Sequence, residues 1–152
     1  MLFRSRKGSK ILVIESSENH YQLQGTTLER WKQAMEQGIR AVSDRPIEFR
    51  PKPMDRKNRT TVYDLLKDNK EYYCVVSDSS AAAVEAVWAG VPIITLNRHI
   101  TNSVSSRSVV DIDNLYREDI ESWLAMLSYS QWTQDEIASG QALAMTQEWH
   151  RV

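Results

Sequence analysis

Short apolar runs rich in β-branched residues recur along the chain, each followed by a polar corner and a stretch of helical periodicity. KILVIES from Lys10, PIEFR, YYCVVS and VPIITL predict four strands, and VVDIDNL predicts a short fifth. The segment SSENHYQLQG after the first run is polar and closes on Gly25, which reads as a loop. Leu28, Trp31, Met35, Ile39 and Val42 follow at helical spacing behind the capping residues Thr26 and Thr27, so residues 27–43 predict an amphipathic helix. TTVYDLLKD predicts a short helix from Thr60 or Thr61. A third begins at Ser79 or Ser80 and runs to about Trp88, ended by Gly90 and kept from resuming by Pro92. REDIESWLAMLSY predicts a helix with Ile120, Trp123, Leu124 and Leu127 as its apolar stripe. TQDEIASGQALAMTQEW opens on a capping box, Thr133 and Glu136, and predicts one closing helix with Ile137, Leu143 or Ala144, and Trp149 as packing residues.

The strands are continuous apolar runs, the mark of a sheet buried on both faces, and they alternate with helices. The expectation is an α/β fold: a Rossmann-like three-layer αβα sandwich around a parallel sheet of about five strands. With no repeat, linker or low-complexity tract, residues 1–152 are expected to form a single domain. Trp88 is expected to pack in the core; on the solvent side it would mark an interface.

Composition narrows the function classes. A formal net charge of -1 offers no bulk field for nucleic acid or an anionic membrane. The single cysteine, Cys74, lies inside a predicted strand and reads as a core thiol. No apolar stretch approaches the roughly 18 residues of a membrane span, and the basic start MLFRSRKGSK lacks the apolar segment of a signal peptide. The expectation is a soluble, cytoplasmic protein. His99 and His150 have no companions at metal-ligand spacing, so no metal site is read, and no motif supports covalent hydrolase chemistry.

The candidate chemistry gathers where the strands end. In VVSDSSAAAVEAVWAGVPIITL, Ser77, Asp78, Ser79 and Ser80 fall at the carboxyl end of the third strand, where open parallel sheets bind ligands. A helix starting there aims free amides at the crevice and favours an anion. Ala81, Ala82 and Ala83 leave room for close backbone approach. The plainer reading is that Ser79 only caps the helix. Glu85 in an otherwise apolar helix is a candidate acceptor for ribose hydroxyls, or a solvated outer-face glutamate. Arg50 and Lys52, in RPKP after the second strand, suit a diphosphate or are ordinary loop charges. His20 is a candidate acid–base group or phosphate donor in the loop after strand one. Arg98, Asn102, Ser103 and Ser105 follow the fourth strand at the same end and could touch ligand or form a polar surface loop.

These residues carry a family likeness. ILVIESSENHY, DRPIEFRPKP and VVSDSSAAAVEAVWAGVPIIT resemble the C-terminal, donor-binding half of GT-B glycosyltransferases, of the capsule-polysaccharide-biosynthesis-like kind found in uncharacterised phage and bacterial proteins. The tail QWTQDEIASGQA resembles their closing helix, so the likeness spans about Lys10 to Trp149. Its most specific part is Ser79, Ser80, Glu85, Ala86, Gly90 and Pro92. The resemblance implies a nucleotide diphosphate sugar as ligand and no bound cofactor or metal. Ser77, Ser79, Ser80 and Ala81, with Arg50 and Lys52, would take the diphosphate, and Glu85 the ribose. It also implies a second, N-terminal domain carrying the acceptor site, which this sequence is expected to lack. A non-catalytic binding module, with self-association or a partner chain covering its open face, and half of a nucleotide-sugar 2-epimerase are the rival expectations.

Overall fold

The computed structural model describes residues 8–53, 60–115 and 120–149. The basic start before Gly8, the MDRKNR part of the loop after the second strand, the Trp149 side chain and His150 lie outside the described residues. The chain divides into two compact units, residues 1–120 and 121–152.

The first unit is an α/β sandwich. Its elements are β1 (Lys10–Ile14), α1 (Glu18–Leu23), α2 (Leu28–Arg40), β2 (Ile47–Arg50), α3 (Val62–Leu66), β3 (Tyr72–Ser77), α4 (Ala82–Trp88) and β4 (Ile93–Thr95). All strand pairs are parallel, in the order β2-β1-β3-β4, with Ile14 beside Arg50 on one flank and Ser77 on the other. Successive side chains of a strand face opposite ways, so both faces need apolar cover. Ile11 and Val13 of β1, Cys74 and Val76 of β3 and Ile94 of β4 join Tyr21, Trp31 and Ile39 in one core. Leu12, Val75 and Ile93 are equally buried on the alternate positions, and α4 packs along β3 and β4.

Local signals set the element ends. Thr27 Oγ1 accepts from the Arg30 amide and caps α2; Thr61 does the same for Asp64 in α3. Gly90, at φ 71°, ends α4, and the Val91 amide bonds back to the Ala86 carbonyl at 3.0 Å, the six-to-one bond of a Schellman turn.

The sheet has four strands, not five. In place of the fifth, Val109–Asp111 forms a 3-10 turn, with Val110 71% exposed and Ile112 buried. The free edge of β4 is met instead by Ser106 alone, whose amide and carbonyl bond Ile93 and Thr95. The polar segment after β1 is a helix rather than a loop, because Tyr21 drops into the core and its hydroxyl accepts from the Ser16 amide at 3.0 Å. Trp88 is 61% exposed instead of buried. Ala83, Ala86 and Val87 form the face of α4 that meets the sheet, which leaves Trp88 on the far side, stacked on Tyr63 at 4.9 Å.

The second unit holds most of α5 (Ile120–Tyr129), together with α6 (Gln134–Ala138) and α7 (Gln141–Trp149). The capping box forms as expected, with Thr133 Oγ1 accepting from the Glu136 amide and Glu136 accepting from the Thr133 amide; that second bond, with the Thr133 hydroxyl donated to the same carboxylate, holds the Glu136 carboxyl below its usual range. The closing segment is two helices, not one, broken at Gly140, and Ile137 and Leu143 are exposed rather than packed.

Ile11 lies at the centre of the sheet with no exposed surface. Ile11→Ala is expected to cost about 2–5 kcal/mol through lost burial and the cavity left behind. Urea unfolding of both proteins measures it, with a lower midpoint at unchanged slope as the expected result.

Candidate functional site

The strand order reverses direction between β1 and β3: the chain winds outward to β2 on one side and to β4 on the other. Above that switch point the carboxyl-end loops part and leave a crevice. A cleft of about 340 Å³ opens there, in the low part of the range for small-molecule sites. It brings together His20, Arg50, Lys52, Ser79, Ser80, Ala81 and Glu85. Ser77 is not among its walls: it is fully buried, and its hydroxyl accepts from the Ser80 amide at 3.2 Å. Arg98, Asn102, Ser103 and Ser105 lie outside it as well.

The serine corner is built by its own side chains. Ala81, not Ser79 or Ser80, occupies the cap position of α4 and makes no side-chain cap. Ser80 Oγ instead accepts from the Ala82 amide at 3.3 Å. With the Ser80 and Ala82 amides so occupied, those of Ser79 and Ala81 meet no acceptor among the described residues.

Asp78 is the anchor beneath. Its side chain is 3% exposed. Oδ2 contacts His20 Nε2 and accepts from Gln24 Nε2 at 3.0 Å, while Oδ1 accepts from Asn97 Nδ2 at 2.6 Å. A carboxylate taking the bond from Nε2 assigns the ring proton to that nitrogen. Nδ1 then remains, with no partner among the described residues. Ser79 Oγ lies 3.4 Å from the same Nε2. A Ser-His-Asp relay requires the serine and the acid on opposite ring nitrogens, so these three residues do not form one.

Two carboxylates reach the cleft. Glu85 Oε2 accepts from the Val62 and Tyr63 amides at 2.6 and 3.2 Å and so serves as the anionic cap of α3. Glu15 directly follows β1, is 5% exposed, and pairs through Oε1 with Lys32 Nζ at 2.9 Å. Oε1 has no aligned hydrogen bond, so this contact is an ion pair rather than a directed bond. Of the cations, Arg50 donates from Nη2 to the Thr60 carbonyl and thereby ties the two ends of the loop after β2. Lys52 is exposed and has no ion-pair partner among the described residues. Glu15, Thr60 and Thr61 were missed as cleft residues by sequence reasoning. Glu15 carried a signal, a carboxylate ending a fully apolar strand.

No family model, curated protein or solved structure matches the chain. Among the described residues no helix is long and apolar enough to cross a membrane, and no three His, Cys, Asp or Glu side chains gather as a metal site.

Removing the Asp78 carboxylate would strand three donors. Asp78→Ala is expected to cost about 3 kcal/mol and Asp78→Asn less, since the amide keeps one acceptor. Chemical denaturation of the two variants gives the comparison. His99 offers a pH test at the β4 corner. Burial holds its imidazole below the ordinary range, so the unfolded chain binds more protons there. Its contribution to stability is therefore full above about pH 6.5 and is lost as pH falls from there to the lowered folded value. His99→Asn, which keeps the side-chain acceptor for the Thr101 amide, is expected to flatten that part of the stability–pH curve.

Proposed function

We propose that this chain is a nucleotide-diphosphate-sugar-binding domain of a glycosyltransferase-like protein, transferring a glycosyl group to an acceptor when a second domain completes the site. The observation that carries this reading is convergence. Residues far apart in sequence, Arg50 and Lys52 after β2 and Ser79, Ser80 and Ala81 after β3, line one cleft at the switch point of a parallel sheet. Two unsatisfied amides and an accessible ammonium suit a diphosphate, and the polar walls suit the hydroxyls of a sugar. The sequence likeness to the donor half of GT-B enzymes points the same way. In such a site the domain's own part in transfer is to hold the departing diphosphate by fixed dipoles and cations. A binding module without catalysis is the second reading, favoured by the exposed Trp88 and its stacking on Tyr63.

The test is a thermal-shift and calorimetric panel of UDP, GDP, CDP, ADP and their common sugar conjugates. Stabilisation of about 2.7 kcal/mol is expected at a ligand concentration 100 times Kd. Lys52→Ala is expected to weaken the responding diphosphate about tenfold without lowering the melting temperature of the free protein. A panel with no binder at all would remove the donor-site reading.

A further inference from the structure

A diphosphate held by amides and Lys52 leaves His20 without a task. His20 and Gln24 stand four residues apart, on α1 and its cap, and both reach Oδ2 of Asp78. The Nε2 edge of the ring is filled. Asp78 Oδ2 contacts that nitrogen, Gln24 Nε2 lies 3.0 Å from it and Ser79 Oγ 3.4 Å. The ring also meets the fully buried Tyr21 edge-on, with centroids 5.2 Å apart. Yet the His20 side chain is 28% exposed and lines the cleft, so its open part is the remainder of the ring, which carries Nδ1. With the proton on Nε2, Nδ1 offers a lone pair. A buried carboxylate on one nitrogen and a free lone pair on the other is the arrangement of a positioned general base. We infer that His20 is the proton acceptor of glycosyl transfer, Nδ1 taking the proton of the attacking hydroxyl or water, and that Asp78 is the positioning residue that holds its tautomer and offsets the imidazolium charge. This inference rests on the nucleotide-sugar reading above, and it places the base on this chain rather than on a second domain.

Position and chemistry agree. Ser79 has a free amide for the ligand's diphosphate, and its hydroxyl lies beside the His20 ring. The anomeric carbon of the sugar is joined to that diphosphate through a single oxygen, so a group beside the anion's seat stands near the reacting carbon. With water as acceptor, the bond from the water oxygen to the anomeric carbon forms as the bond from that carbon to the phosphate oxygen breaks. The electron pair leaves on the nucleoside diphosphate, and the water proton passes to Nδ1 and then to solvent. A nucleoside diphosphate is a weakly basic leaving group and needs no proton, so a base rather than an acid is the help this step lacks. Glu15 and Glu85 are rival bases in the same lining, tied respectively to Lys32 and to the Val62 and Tyr63 amides.

The experiment supplies UDP-glucose, GDP-mannose and ADP-glucose to the full chain with no acceptor but water. Calorimetry gives affinity, and release of the nucleoside diphosphate gives turnover of the bound donor. The variants are His20→Gln, whose amide can still donate to Asp78, His20→Ala, Asp78→Asn, Glu15→Gln and Glu85→Gln. The native chain is expected to bind one conjugate and to hydrolyse it. His20→Gln should lower that turnover about a hundredfold with affinity unchanged, which also shows that the variant is folded. Imidazole should restore part of the turnover of His20→Ala, an effect that a purely structural ring would not produce. Asp78→Asn should lower turnover by at least about tenfold through loss of the held tautomer. Should Asp78→Asn misfold, His20→Gln and the imidazole rescue decide alone. A conjugate that binds but is not hydrolysed, or is hydrolysed as fast by His20→Gln, overturns the assignment of His20 while leaving the donor site standing. So does turnover that falls in Glu15→Gln or Glu85→Gln and persists in His20→Gln, since the base is then a carboxylate. Lost affinity with undiminished turnover makes His20 a phosphate contact and overturns the assignment too. Absence of binding by every conjugate overturns both readings.

Discussion

The buried carboxylate of Asp78 is the constraint on which the cleft depends. A charge so far from water is tolerable only when fully hydrogen-bonded, and the chain supplies three donors from two directions. His20 comes from α1, Gln24 from the cap at its end, and Asn97 from the segment after β4. Each of these groups is on a short or irregular piece that has little intrinsic order. Together they peg the loops of β1 and β4 to the end of β3, on both sides of the switch point. The backbone repeats the tie, since the Asn97 amide bonds the Asp78 carbonyl at 3.1 Å. The crevice that an open sheet leaves between diverging loops is thereby given fixed walls.

A second set of ties builds the opposite wall. Glu85 caps α3 from the middle of α4, and Arg50 holds the Thr60 carbonyl just ahead of α3. A five-residue helix gains little from its own hydrogen bonds, because nucleation is costly and most of its end groups lack partners. An anion at its first turn, together with burial of Val62 and Leu66, supplies what local propensity does not. The cleft is thus bounded by side chains that each satisfy a neighbouring loop or helix end, which couples its shape to the packing of the whole sheet.

Much of this was legible in the sequence, for a physical reason. Strands buried on both faces must be apolar throughout, so KILVI, YYCVVS and PIIT announce themselves, and the polar residues that follow mark the carboxyl ends. The place of the cleft was therefore readable by position. What failed to show was set by tertiary contacts. The helix α1 is polar and short, and its burial rests on Tyr21 alone. Yet Gly25, at φ 75°, receives the same kind of six-to-one closure, from the Thr26 amide to the Tyr21 carbonyl, as the turn that ends α4. That glycine was a usable helix-stop signal read as a loop. Val109 and Val110 have strand propensity, but β4 finds its edge partner at Ser106, and propensity yields to context. Glu85 was noticed as an acid among apolar residues, while its partners lie 22 and 23 positions away, beyond any periodicity.

The balance of charge in the cleft then limits where an anion can sit. Arg50 already has a carbonyl to serve and Lys32 a carboxylate, while Glu15 and Glu85, both in the cleft lining, repel a phosphate. Attraction is left to Lys52 and to the unoccupied amides of Ser79 and Ala81, residues that line the cleft. An anion is consequently drawn toward the serine corner. The part beside Glu15 and Glu85 is suited to uncharged hydrogen-bond donors. The nucleotide-sugar ligand proposed above, with phosphate at one end and hydroxyls at the other, suits both regions at once.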